Sequence, residues 1–101
     1  MKRFLFALVA TVAITAPALA DEGLAKEKHC TTCHSAEKTK VGPSYKNIAK
    51  KYADQKDAEA KLVTVIMKGG TGSFGTTAMP PQPSVNDAEA KQLATWILGM
   101  K

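Results

Sequence analysis

The chain has 101 residues, two cysteines and a formal net charge of +5, and much of its 45% hydrophobic content lies in the first twenty positions. That length holds about one domain, which excludes a multidomain enzyme, a transporter or a large α/β fold. Two cysteines exclude a disulfide-rich scaffold, and lysines spread along the chain without a dense run make a weak case for nucleic-acid binding.

The chain opens with Lys2 and Arg3, an uncharged, mostly apolar run from Phe4 to Ala16, and Ala18-Leu19-Ala20 before Asp21. A short basic start, a brief apolar stretch and an Ala-x-Ala end read as a secretory signal peptide over residues 1–20, too short to span a membrane permanently. The remaining domain, residues 21–101, carries only eighteen large apolar side chains, and its twelve lysines exceed its nine acids by three. Chains this small usually need disulfides, a metal or a cofactor to complete their core. The mildly basic surface suits transient docking to an acidic partner.

From Asp21 to His29 the only breaker is Gly23, and Glu22 and Lys26 form an i,i+4 pair, so a short helix is expected to lead into Cys30. Ser35 to Pro43 is small, polar or charged and ends in Gly42-Pro43, a loop. Ser44 can cap a helix through Ala53 with Tyr45, Ile48 and Tyr52 on one stripe. Asp57, supported by an i,i+4 pair with Lys61, is the expected cap of a third helix whose stripe is Leu62, Val65 and Ile66 and which Gly69-Gly70 stop. Asn86 and Glu89 have capping-box spacing before a terminal helix with Leu93, Trp96, Ile97 and Met100 on its apolar side. No stretch alternates as a strand would, so the fold class is all-α, three to four short helices. Between the last two helices lie four glycines and three prolines around Met79, a connection long enough to suggest function.

Cys30-Thr31-Thr32-Cys33-His34 carries the chemistry. The spacing Cys-x-x-Cys-His puts two thiols within reach of the two vinyl groups of one haem while the adjacent imidazole comes up beneath the iron. Cys30 and Cys33 are then thioether donors and His34 an axial ligand. A thioredoxin-like dithiol would want its Cys-x-x-Cys after a strand in a βαβ setting. A structural zinc site needs four ligands around a tetrahedron, and the one other histidine is His29, in the same short segment. A haem also supplies the burial that eighteen side chains cannot.

The residue opposite His34 decides whether the iron carries electrons or binds small ligands. The candidates are Met67, Met79, Met100 and His29. Met67 and Met100 fall within helical stripes, where methionine is usually core filler, and His29 is tied to the attachment segment. Met79 sits in the loop, followed by the stiff Pro80-Pro81 pair, and is the expected second ligand.

Taken together, the export leader, Cys-x-x-Cys-His, Val41-Gly42-Pro43, the Gly-rich stretch, Ala78-Met79-Pro80-Pro81 and the closing Trp96-Ile97-Leu98 resemble the small bacterial class I cytochromes c of the cytochrome c-551 type. The resemblance spans essentially all of residues 21–101. It implies a monomeric periplasmic electron carrier, not an enzyme, with one covalently bound haem c whose iron is held by His34 and Met79. It also implies that the Pro43 carbonyl accepts the Nδ1 hydrogen of His34 and so orients the ring. Two positions depart from the pattern: Phe74 stands where a tryptophan often hydrogen-bonds a haem propionate, and Val65 near where some members carry a basic residue. Trp96 is expected to pack between the first and last helices. Lys28, Lys38 and Lys68 are candidates for steering redox partners. The competing readings are a haem sensor or peroxidase-type protein with a displaceable distal ligand, and a haem-free dithiol oxidoreductase.

Overall fold

In the computed structural model, residues 17–71 and 73–100 are described; most of the expected leader, residues 1–16, lies outside them, as do Gly72 and Lys101. Four α-helices follow one another: α1 (Pro17–Glu27), α2 (Tyr45–Tyr52), α3 (Ala58–Lys68) and α4 (Asp87–Leu98), with a 3₁₀ turn at Cys30–Thr32 after α1. Among the described residues there is no strand, only two isolated bridges, and no helix is long and apolar enough to cross a membrane.

The caps read from the sequence form at two helices and fail at a third. Ser44 Oγ accepts the Asn47 N–H at 3.1 Å and starts α2. At α4 both arms of the capping box are made: Glu89 N–H to Asn86 Oδ1 at 2.8 Å and Asn86 N–H to Glu89 Oε1 at 3.1 Å. Asp57 occupies the cap position of α3 without a side-chain hydrogen bond. Its expected partner Lys61 reaches Gln55 Oε1 instead, at 2.7 Å. The first helix also differs from expectation. It begins before the anticipated leader boundary, at Pro17, and ends at Glu27, because His29 takes the left-handed conformation at φ 63° and turns the chain out of the helix.

Helix α4 packs against each of the other three, which is why its inner face is the most deeply buried surface: Ala90 and Ala94 are fully covered and Leu93 nearly so. One apolar cluster joins Tyr45, Ile48 and Tyr52 of α2 to Leu62 of α3 and to Ala94 and Ile97; the other joins Ala25, Ile66 and Val85 to Ala90 and Leu93. Trp96 packs against both clusters, not simply between the first and last helices, and its closest aromatic neighbour is Tyr45 of α2. Met67 and Met100 pack against the clusters as filler. The clusters flank a cavity of about 330 Å³ instead of merging into one core.

Candidate functional site

The 3₁₀ turn that follows His29 is closed by Cys33 N–H to Cys30 O at 3.2 Å and His34 N–H to the same oxygen at 3.0 Å. This tight winding brings Cys30, Cys33 and His34 to the wall of the cavity together. Both thiols are free. Burial pushes the Cys30 thiol up, against a smaller downward pull from a backbone hydrogen bond. That is the wrong direction for a thiolate nucleophile, and the described residues hold no strand to give the βαβ setting of a dithiol oxidoreductase.

His34 is buried and fixed on three sides. Its Nδ1 lies 2.7 Å from the Pro43 carbonyl; a carbonyl only accepts, so Nδ1 carries the proton and Nε2 keeps its lone pair. The Tyr45 ring stacks on the imidazole with centroids 5.7 Å apart and planes at 29°. Against the ring also lies Gly42, where a Cβ would stand 2.5 Å from His34 Cε1 and 2.9 Å from Nδ1, so no side chain fits at this position. The loop is held in register by Gly42 N–H to Cys33 O at 2.8 Å and Tyr45 N–H to Ser35 O at 2.9 Å.

Met79 reaches the same cavity from the connection between α3 and α4. Its backbone is paired with Gly70 in both directions, Gly70 N–H to Met79 O at 3.0 Å and Met79 N–H to Gly70 O at 2.8 Å. Gly69, at φ 79°, makes this possible: a Cβ there would stand 2.5 Å from the Met79 carbonyl oxygen and 3.0 Å from Pro81 N. Gln82 N–H to Ile66 O at 3.1 Å ties the following residues to the end of α3. The glycine pair reads in sequence as a helix stop; in the structure it is also the seat of the methionine.

The rest of the wall is mostly apolar, with Ile48, Leu62, Val65, Leu93 and Ile97 among it. Val41 and Phe74, the large hydrophobics left most exposed, both face this cavity. Tyr45 Oη is buried without a hydrogen-bond partner, alone among the described side chains, and burial, then the neighbouring Cys30, push its phenol well above the usual range. His29 is also on the wall, whereas Met67 and Met100 are not.

This donor set suits haem. Two thiols three residues apart, an imidazole with its Nε2 free and a thioether surround an apolar space whose size falls within the cofactor range of about 300–1,000 Å³. It does not suit a structural zinc ion, since no group of three or more His, Cys, Asp or Glu able to hold a metal occurs among the described residues. Sequence reasoning passed over Gly42, Gly69 and Tyr45 as site residues; the tripeptide Val41-Gly42-Pro43 and the Gly69-Gly70 pair were the available signals.

Known proteins share the sequence and the fold. The profile of the cytochrome c family matches residues 22–101. Cytochrome c-552 of Hydrogenobacter thermophilus is 54% identical over the full length of both chains. Cytochrome c-551 of Allochromatium vinosum is 48% identical over 83 residues, 82% of this chain and 88% of that one. The crystal structure of Nitrosomonas europaea cytochrome c552 superposes with a TM-score of 0.77 at 48% identity, covering 79% of this chain and 99% of that one. The chain belongs to the cytochrome c family, all-α electron carriers with one covalently attached haem c.

Proposed function

We propose that this chain is a periplasmic, monomeric carrier that shuttles one electron at a time between redox proteins, after removal of a leader over residues 1–20. In this reading Cys30 and Cys33 would hold the haem through thioethers, and His34 and Met79 would supply the two protein ligands to its iron. The bound haem supplies the chemistry, a single electron accepted and returned. The chain's own residues keep that event simple. With the His34 proton on Nδ1 and donated to Pro43 O, the ring presents Nε2 as the donor atom, and the carbonyl raises its basicity. Met79 offers a soft sulfur that favours the ferrous state and raises the potential.

One observation carries the ligand assignment. Met79 is held at the cavity by two backbone hydrogen bonds, while Met67 and Met100 pack in the clusters. A sixth position filled in this way leaves no room for substrate, which favours a carrier over a peroxidase-type site. Docking falls to exposed lysines such as Lys38 and Lys68, which make no ion pair among the described residues. Lys28 drops out of that group, because its ammonium is 3.2 Å from Glu89 and 2.9 Å from the Ser84 carbonyl.

The test is spectroscopic. Met79→Ala should abolish the weak near-infrared sulfur-to-iron absorption of the ferric protein, lower the potential and let added imidazole bind. Met67→Leu and Met100→Leu should leave the spectrum alone and change stability by less than about 1.5 kcal/mol. If Met79→Ala keeps the wild-type spectrum and potential while either of the others loses them, the assignment is wrong.

A further inference from the structure

Although haem c brings two propionate carboxylates, the cavity wall contains neither arginine nor lysine. An anion placed against an apolar wall without a partner is costly, so polar or cationic groups at the rim are the places to look for one. Four of the lysines already have an acid: Lys26 with Glu22, Lys28 with Glu89, Lys46 with Glu37 and Lys91 with Asp87. Lys61 donates to Gln55 and Lys40 to the Thr31 carbonyl, neither of which borders the cavity.

Lys51 is different, because both groups it touches belong to the wall. Its ammonium lies 4.6 Å from the centre of the Phe74 ring and donates to the Ser73 carbonyl. An ammonium has three N–H donors, so two stay available. Asn47, one turn earlier on the same face of α2, also borders the cavity, and its carboxamide makes no hydrogen bond among the described residues. The rim formed by Asn47, Lys51, Ser73 and Phe74 thus joins a neutral donor, a cation and an apolar ring, and its cation has no acidic partner. Phe74 itself cannot donate.

We propose that Lys51 is the cation that pairs with a haem carboxylate at this rim, with Asn47 beside it as a neutral donor. The proposal rests on the reading that the cavity holds a His/Met-ligated haem. Lys51 acts on the potential through charge: a fixed positive charge beside the cofactor favours the reduced, less positive state, so its removal lowers the potential.

The experiment compares the haem-loaded wild type with Lys51→Gln, Lys51→Arg and Lys56→Gln. The last makes the same charge change in the α2–α3 connection, away from the cavity wall. Reduction potentials are measured at low ionic strength, with proton spectra of the haem propionate methylenes and the ferric near-infrared band. Lys51→Gln should lower the potential more than Lys56→Gln does and move the methylene signals. Lys51→Arg should restore both, and the near-infrared band should persist throughout. Equal potentials for the two glutamine variants, or unmoved methylene signals, overturn the proposal. Loss of the near-infrared band in Lys51→Gln also overturns it, since Lys51 would then be acting on the Met79 loop. A wild type lacking that band overturns the His/Met reading itself.

Discussion

If Cys30 and Cys33 hold the haem as proposed, replacing both by alanine removes its attachment, and the structure sets the size of the consequence. As an upper bound, treating the whole cleft of about 330 Å³ as a closed void at roughly 24 cal/mol per Å³ gives about 8 kcal/mol of lost stabilisation. Small domains have in total about 5–15 kcal/mol, or roughly 0.05–0.15 kcal/mol per residue, so a domain of this length has about that much to lose. Collapse of the walls recovers part of the figure, yet half of it already consumes a large share of the native stability. The double variant, made without haem, should therefore show little helical circular dichroism at 25 °C and no cooperative urea transition. A haem-free protein with wild-type helicity and a cooperative transition would refute the reasoning, and the cavity would then be a property of a fold that stands alone.

Further consequences can be measured directly. Gly42→Ala sets a methyl group 2.5 Å from His34 Cε1, so the ring must turn and weaken its bond to Pro43; stability should fall by about 1–3 kcal/mol and the potential should shift, whereas an unchanged potential would show that the loop yields instead. Glu89 is held below the usual carboxylate range by the Asn86 N–H first and by Lys28 second. A lowered folded-state pKa adds stability that is complete above the unfolded value of about 4.3 and is lost as pH falls through the folded one, so Glu89→Gln should flatten the acid limb of a stability profile and leave its neutral region with the same slope. Electron-transfer rates with an acidic partner should fall as salt rises, since exposed charges are screened beyond about 8–10 Å at 0.1–0.15 M; a rate flat in salt would assign docking to Val41 and Phe74.

What the sequence discloses about this fold is what depends on neighbours along the chain. The stripes of α2, α3 and α4 and the caps at Ser44 and Asn86 are local patterns, and they form as read except that α4 ends at Leu98 and leaves Met100 beyond the helix. The attachment motif is local too, because its chemistry requires fixed spacing. Asp57 misleads since a cap residue needs a suitable backbone as well as a suitable side chain, and at φ −103°, ψ 33° its carboxylate does not meet the first-turn N–H groups. The end of α1 is equally opaque, because a left-handed histidine carries no signal of its own. Lys28 was legible as a lysine but not as the partner of Glu89, a residue brought to it by the docking of α4 on α1.

The closest approaches at the site explain why its hold on Met79 does not depend on the methionine side chain. Both hydrogen bonds that seat this residue use its main-chain N–H and C=O, and the contact that shapes the seat is with the Gly69 backbone. Alanine at position 79 keeps every one of these interactions. The loop should then stay where it is while the sulfur disappears, so the expected result is a vacant coordination position in a folded protein and not an unfolded chain. His34 is the reverse case: its ring takes part in the packing of Gly42 and Tyr45, and its Nδ1 proton is already committed to Pro43. Removing that side chain takes away a wall of the cavity together with the proposed ligand. Substitution at 34 should therefore impair folding as well as spectrum, and substitution at 79 the spectrum and potential alone, a contrast that urea titration of the two haem-loaded variants would expose or deny.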